Sequence, residues 1–484
     1  MRRGALLACA AAASALVPCA AAAGATRAVG ARPSLHPAFR DGTPDYTVRC
    51  KEGEKVRFSI SAPSGTRVAV DDRKPRAGSF DASVKLVPGE AAVLRFIAAS
   101  RTRTHYVRCL PDDFPTWKVQ RDGAPTARWL IVTPSLNTVA AGYMAVFDDH
   151  GVPVWWMRGD PPPFNGELLP DGNLAWTKWV FSRPPLGYYD EHALDGKLVR
   201  TYDTSPKGSN PHELRVLPNG NYFMVAYRPR DGVDLSRWGG PKDATVLDGE
   251  LQERDPGGTV LWSWSTKDHV RLSETKHWYP KLFKDKPVDL GNGRFAYDIA
   301  HVNSIEPLGD RVVTSLRHTD AVYEIDKATG DVVWKLGGTK RPQSLRITND
   351  PFGSKELGGQ HDARALDGGK TITVYDNGTL RDRPPRALAF RIDAAKGTAK
   401  LVRSVGFSKV GKSTCCGSAR LLPDGHWVVS WGNNSYVGEL TASGRPVLTL
   451  KFGDGRVSYR AEPVLAGGLS RGALHRGMDA MVAP

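Results

Sequence analysis

An all-β chain is predicted by three features of the sequence. Short apolar segments alternate with Gly, Pro, Asp and Asn turns, two hairpin phrases recur along most of the chain, and no stretch carries a useful helical period. The elements follow in order.

Residues 1–28 start with two arginines, continue through an alanine-rich apolar run from Gly4 to about Ala23, and end in small residues suited to an A-x-A type cleavage. This reads as a secretory signal peptide. A retained membrane anchor is the competing reading, because the run is nearly long enough to cross a bilayer. The chain is therefore expected to be secreted or extracytoplasmic, with cell-surface association allowed.

Residues 33–118 alternate short apolar segments (VRFSISA, ASVKLV, AVLRFIAAS) with turn residues, the pattern of a small antiparallel β-sandwich. Cys50 and Cys109 end two similar strand phrases, YTVRC and HYVRC, and an even cysteine count in an exported chain suits disulfides. A bridge closing that loop stabilises by about 4 kcal/mol in the chain-entropy model. Cys415 and Cys416 are adjacent, which leaves open a strained bond or two buried thiols.

Residues 125–470 repeat. One phrase, acidic-x-x-G-x-V-x-W in outline, occurs six times, from VFDDHGVPVWW at Val146 to ELTASGRPVLTL at Glu439. Between its copies runs a strand-turn-strand phrase seen five times (LLPDGNLAW, VLPNGNYFMV, EPLGDRVVTS, ALDGGKTITV, LLPDGHWVVS); a sixth could be closed by either end of the repeat. Hairpin pairs at this spacing mark a β-propeller.

Within the repeat, GFSKVGKST (Gly406–Thr414) matches a phosphate-loop spacing. Such a loop works by leading into a helix whose N-terminus adds its dipole to the loop amides. Here a turn feeding a β-hairpin follows, so the segment reads as a loop between repeats and no nucleotide is expected. The net charge of +15 is scattered, and no nucleic-acid module is present.

Aligned on their turns, the second phrases begin at Phe164, His212, His301, His361 and Gly417. If this phrase lines a central channel, the three histidines converge there, with Asn303 the one strongly polar residue two positions further on. Sixteen residues after the histidines stand Arg228, Arg317 and Asn377, and sixteen after Gly417 stands Asn433. Such a pocket suits a compact anion. Three histidines also invite zinc or copper, but no carboxylate or cysteine shares their register, so no metal and no cofactor is assigned. Phe164 suits an aryl ring, whereas Trp176, Trp179, Tyr227 and Trp431 are expected in the core.

At these residues the sequence resembles the bacterial arylsulfate sulfotransferases, most closely their high-GC Gram-positive branch. The resemblance rests on YVRCLPDDFP, PHELRVLPNGNY, DPGGTVLWSWSTKDHV, DIAHVNSIEPL, TSLRHTDAVYEIDKATGDVVWKLGG, GQHDARAL and CCGSARLLPDG. It implies a six-bladed propeller behind a small β-sandwich, and sulfuryl transfer from an aryl sulfate to a phenolic acceptor without a nucleotide donor. It further implies a ping-pong mechanism through a sulfohistidine at His361. His301, His212, Arg317 and Asn303 complete the implied catalytic set: Arg317, Asn303 and His301 hold the sulfuryl oxygens, and His301 or His212 handles the phenol's proton. Monomer and homodimer are both compatible with it. A non-catalytic propeller that binds sulfated ligands and a metal-dependent hydrolase or oxidoreductase are the alternative readings.

Overall fold

The computed structural model describes residues 27–51, 53–135, 141–180, 186–353 and 357–482. The expected leader lies outside these except for its last two residues. Arg27 pairs with Asp41, and Ala28 opens the strand Ala28–Arg32, so the sheet starts inside the span expected to be leader. No described helix is long and apolar enough to cross a membrane.

The chain is mostly β. Its N-terminal part holds two facing sheets, one of Ala28–Arg32, Lys55–Ser61 and Ser79–Lys85, the other built around Ala91–Ile97 and Thr102–Leu110. Val56, Phe58 and Ile60 alternate inward from one sheet to meet Leu94, Phe96 and Val107 of the other, which is the period-two pattern read from the sequence. The sandwich is not purely antiparallel: Asp45–Arg49 runs parallel to Thr102–Leu110, with Val48 opposite Cys109. That register brings Cys50 beside Cys109, and they are disulfide-bonded at a Cα–Cα distance of 5.7 Å.

Six sheets follow, each with four antiparallel strands at its heart; in five of them these are consecutive in the chain, and the first joins three consecutive strands to the late strand Ala461–Val464. Their innermost strands are Ala461–Val464, Pro163–Leu168, Ser209–Val216, Val302–Leu308, His361–Leu366 and Ser418–Leu421, and each touches the next in a closed cycle. Both chain ends close the ring. Ala461–Val464 pairs with Trp129–Val132 to complete the first sheet, and Trp117–Arg121 adds to Pro446–Phe452 at the edge of the last. Trp117 and Lys118, expected at the end of the sandwich, therefore belong to the repeat.

Buried ion pairs tie these inner strands together. Arg460 meets Glu213 at 2.7 Å and Asp362 at 3.3 Å, Arg364 meets Glu213 at 2.8 Å, and Arg420 meets Asp362 at 2.8 Å. Burial raises the Asp362 carboxyl, but Arg420, Arg364 and Arg460 more than reverse this and hold it far below the usual range. Glu213 and Asp362 each serve more than one arginine, so the network ties several inner strands together, and removing either shared carboxylate would leave buried guanidinium charge under-compensated.

The longest described helix, Arg471–Val482, was not legible in the sequence: it carries two glycines, and its short apolar stripe of Leu474, Met478 and Met481 packs on the core of the first sheet. Tertiary packing supplies its stability. His475 reaches Asp45 at 2.7 Å and Asp479 pairs with Arg108 at 2.8 Å, linking the helix to the sandwich.

Candidate active site

The inner strands of the second to fifth sheets share a defect. Their pairing slips between Pro163 and Gly166, Ser209 and Leu214, Val302 and Ser304, and His361 and Arg364. Bulges of this kind re-aim side chains. Here they free His212, His301 and His361 towards one cavity of about 230 Å³. The His301 ring centroid lies 4.7 Å from that of His212 and 6.5 Å from that of His361. In the sixth sheet a side chain is impossible at the matching position, because Gly417 has φ +103° and a Cβ would strike the Tyr375 ring.

His361 is held in one tautomer. Its Nδ1 faces two acceptors, Asn377 Oδ1 at 2.7 Å and the Gly359 carbonyl at 3.0 Å, so Nδ1 carries the proton. Nε2 therefore has the lone pair, and it accepts the Cys416 N–H at 3.2 Å. Burial, then the charges of Arg317 and His301, push the His361 pKa well below its ordinary value. The group is a neutral imidazole at neutral pH, which is the nucleophilic form.

His301 carries a carboxylate partner. Its Nδ1–H donates to Asp298 Oδ2 at 2.5 Å, its backbone N–H donates to Asp298 Oδ1 at 3.0 Å, and the Tyr227 hydroxyl donates to the same carboxylate at 3.0 Å. Burial raises the Asp298 carboxyl, but His301, His318 and Tyr227 outweigh it and bring it down to about 2. His212 has only an amide on its Nδ1, Asn210.

Arg317 is the cavity's cation. Its Nη2 donates to the Thr414 carbonyl at 2.6 Å, its Nη1 donates to His318 Nε2 at 2.6 Å, and its guanidinium lies over the Trp278 ring. His318 Nδ1–H donates to the Asp298 carbonyl at 2.5 Å, so this histidine is neutral and braces the arginine. Among the described residues no carboxylate pairs with Arg317, and its Nε has no partner. A half-buried guanidinium facing a cavity with unused donor capacity is a receptor for an anion.

Aromatic rings form one wall. Phe164 stacks on Tyr459 at 4.3 Å and meets Trp179 edge-on at 4.9 Å, and the Tyr459 hydroxyl is buried without a partner among the described residues. Ser135, Pro162 and the disulfide-bonded Cys415–Cys416 pair complete the lining. The sequence had left that pair open.

A family model described as arylsulfotransferase (ASST) matches residues 192–453, more than half of the chain. The chain belongs to the arylsulfotransferase family. Aryl sulfotransferase activity, with aryl sulfate donors and phenol acceptors in general, is what that membership supports. The matched span holds His212, His301, Asn303, Arg317 and His361. It leaves out Phe164, Trp179 and Tyr459.

No curated protein matches this arylsulfotransferase-family chain. Similar solved structures are distant. A protein of unknown function from Bacteroides caccae aligns at 14% identity over 70% of this chain and 99% of its own, with a TM-score of 0.41. A putative 6-phosphogluconolactonase from Bacteroides uniformis aligns at 11% identity over 70% and 100%, with a TM-score of 0.39. A catalytically inactive virginiamycin B lyase from Staphylococcus aureus aligns at 9% identity over 69% and 99%, with a TM-score of 0.34.

Of the residues singled out in the sequence of this arylsulfotransferase relative, Phe164, His212, His301, Arg317 and His361 line the cavity. Asn303 does not: its Nδ2 donates to the Gln360 carbonyl at 2.8 Å, so it steadies the residue before His361. Asn377 likewise acts on His361 from behind. Arg228 is ion-paired with Glu250, and Asn433 is exposed and bonded to the loop of Cys415. Register alone does not reveal these departures, because a bulge or a nearer partner redirects a side chain without changing its position in the repeat.

Other contributors were not legible. Trp179, expected in the core, lines the cavity, and Tyr227 reaches the Asp298–His301 pair, whereas Trp176 and Trp431 are buried in core clusters. Asp298 and His318 lie just outside the aligned phrase; their only signal was nearness in sequence to His301 and Arg317. Asp298, His301 and His318 could together approach one metal ion, so a carboxylate does stand near the histidines. Arg317, bonded to His318 Nε2, puts a fixed positive charge against that position.

Proposed function

We propose that the chain is an exported enzyme that moves a sulfuryl group from an aryl sulfate to a phenol through His361, on a six-bladed β-propeller preceded by a sandwich. The observation that carries this is a neutral, tautomer-locked imidazole beside a guanidinium that, among the described residues, has no ion-paired carboxylate. Export is supported by the leader-like N-terminus and by the Cys50–Cys109 bond, which suits an oxidising compartment.

In the first half-reaction the Cys416 N–H releases His361 Nε2, whose freed lone pair attacks sulfur; the bond from sulfur to the aryl oxygen breaks, and its electron pair leaves with the phenolate. Arg317 neutralises charge on the sulfuryl oxygens. His301 protonates the phenolate, and Asp298 favours His301 over His212 for this role, because a carboxylate on Nδ1 stabilises an imidazolium where an amide does not. In the second half-reaction His301 takes the acceptor's proton, the phenol oxygen attacks sulfur, and His361 is released. Phe164, Trp179 and Tyr459 pack the aryl ring in both.

The test is intact-protein mass spectrometry after brief mixing of chelator-treated protein with an aryl sulfate, wild type against His361→Ala. A gain of about one sulfuryl group in wild type only, discharged by a phenol, is expected. No adduct and no phenol release would favour a binding protein, and release only on adding metal would favour a hydrolase at Asp298, His301 and His318.

A further inference from the structure

Residues 413–416, the last two of the segment that mimics a phosphate loop and the two cysteines after it, reach several of the reacting groups. The Cys416 N–H donates to His361 Nε2, and the Cys416 carbonyl accepts from Asn377 Nδ2 at 3.0 Å. The Ser413 hydroxyl accepts from that same amide group at 2.8 Å. Because Asn377 Oδ1 is the acceptor for His361 Nδ1–H, this short loop governs the surroundings of both ring nitrogens of His361. Two residues earlier, the Thr414 carbonyl accepts from Arg317 at 2.6 Å. Nucleophile and cation thus share one backbone support.

That support has a built restraint. Cys415 and Cys416 are bonded to each other in the cavity wall. Cys416 sits at φ +65°, a left-handed conformation that a residue with a Cβ disfavours. Bonding adjacent cysteines closes a small ring around their shared peptide and limits its torsions. Asn433 grips the loop from outside, its N–H on the Cys415 carbonyl at 3.1 Å and its Oδ1 on the Thr414 N–H at 2.8 Å. Gly432 allows this approach, since a Cβ there would collide with Ser413 and Cys415.

We propose that the Cys415–Cys416 bond is a redox-responsive positioning element: closed, it holds His361 and Arg317 in register for sulfuryl transfer, and opened by a dithiol, it releases both and suppresses turnover. In the opening step the Sγ–Sγ bond breaks, two electrons and two protons pass from the dithiol to give two cysteine thiols, and the dithiol becomes a disulfide. The bond is reachable, because it lines the cavity and Cys415 is half-buried, whereas Cys50 and Cys109 are 1% and 0% exposed in the sandwich core. Access selects which disulfide exchanges. The kinetic part of the proposal rests on the sulfuryl-transfer reading; the geometric part does not.

The experiment titrates the full-length protein with dithiothreitol and maps opened thiols by alkylation of quenched samples. At each point it measures kcat and KM for an aryl sulfate and the ¹⁵N imidazole resonances of His361. Opening Cys415–Cys416 is expected to lower kcat roughly 10- to 100-fold with KM within about twofold. The His361 resonances move in parallel, and reoxidation restores both. A Cys415→Ala/Cys416→Ala variant starts at the lowered kcat and ignores the dithiol. Unchanged kcat and resonances in protein whose mapped thiols are Cys415 and Cys416 would overturn the proposal. So would a loss in the double variant as large as in wild type, which would assign the response to Cys50–Cys109. If the variant does not fold, the reversible wild-type titration decides. If oxidised wild type transfers no sulfuryl group, the proposed function fails, and the His361 resonances alone decide this inference: movement supports it and no movement overturns it.

Discussion

Asp298→Asn separates a proton-handling His301 from a merely structural one. Asp298 accepts three hydrogen bonds, from His301 Nδ1, the His301 backbone and Tyr227. An amide keeps one acceptor oxygen and turns an NH₂ towards a donor, so one charge-assisted bond is lost and His301 loses its counter-charge. General acid–base catalysis contributes roughly 10² to 10⁴ in rate, and 10² corresponds to about 2.7 kcal/mol of barrier. The loss must depend on the leaving group, because an acidic phenol departs without help. Rapid-mixing measurement of adduct formation across aryl sulfates of graded leaving-group acidity is the assay. We expect a loss of about tenfold for the most acidic phenol and at least 10²-fold for the least acidic. A loss by one constant factor across the series would refute the assignment of His301 as the acid. The assay belongs well below the melting temperature, because the variant is also less stable. A carboxyl at about 2 in the folded state, against an ordinary 3.8, contributes about 2 kcal/mol above pH ~4, lost as pH falls towards 2.

Further tests address aryl binding, acid stability and the sandwich. Phe164→Ala removes the stack on Tyr459 and should raise KM for the aryl sulfate about 30-fold, equivalent to about 2 kcal/mol, with a smaller change in kcat; an unchanged KM would place the aryl ring elsewhere. His318 is buried, and burial followed by Arg317 and His301 holds its pKa well below the unfolded 6.5. Its neutral form therefore stabilises the fold fully above pH 6.5, and this is lost as pH falls below that value, by at most about 1.4 kcal/mol per pH unit. Urea denaturation from pH 7.5 to 5.5 should show His318→Gln with a shallower pH dependence than wild type by about that slope; parallel curves would refute it. Removing the Cys50–Cys109 bond, which spans 59 residues, should cost about 4 kcal/mol of sandwich stability by denaturant titration, and a change under about 1 kcal/mol would show that the parallel strand pair holds that register alone.

The sequence by itself determined the all-β class, the Cys50–Cys109 pairing and which histidines could meet, since period-two alternation, turn residues and repeat register are local signals. It also carried enough family-specific phrases to point to the arylsulfotransferases. The tertiary structure alone decided which polar residues reach the cavity. Asn303, Asn377, Arg228 and Asn433 share the right spacing, yet bulges and nearer partners turn them to Gln360, His361, Glu250 and the Cys415 loop. Asp298, His318, Trp179 and Tyr459 gain their places from a hairpin end, a short turn and the ring's closure, which bring together residues whose roles no linear pattern encodes. The physical reason is that alternation fixes the face a side chain takes within a strand, whereas hydrogen-bond partners and excluded volume come from other turns, strands and sheets, as Gln360 does for Asn303 and, across the ring closure, Tyr459 for Phe164.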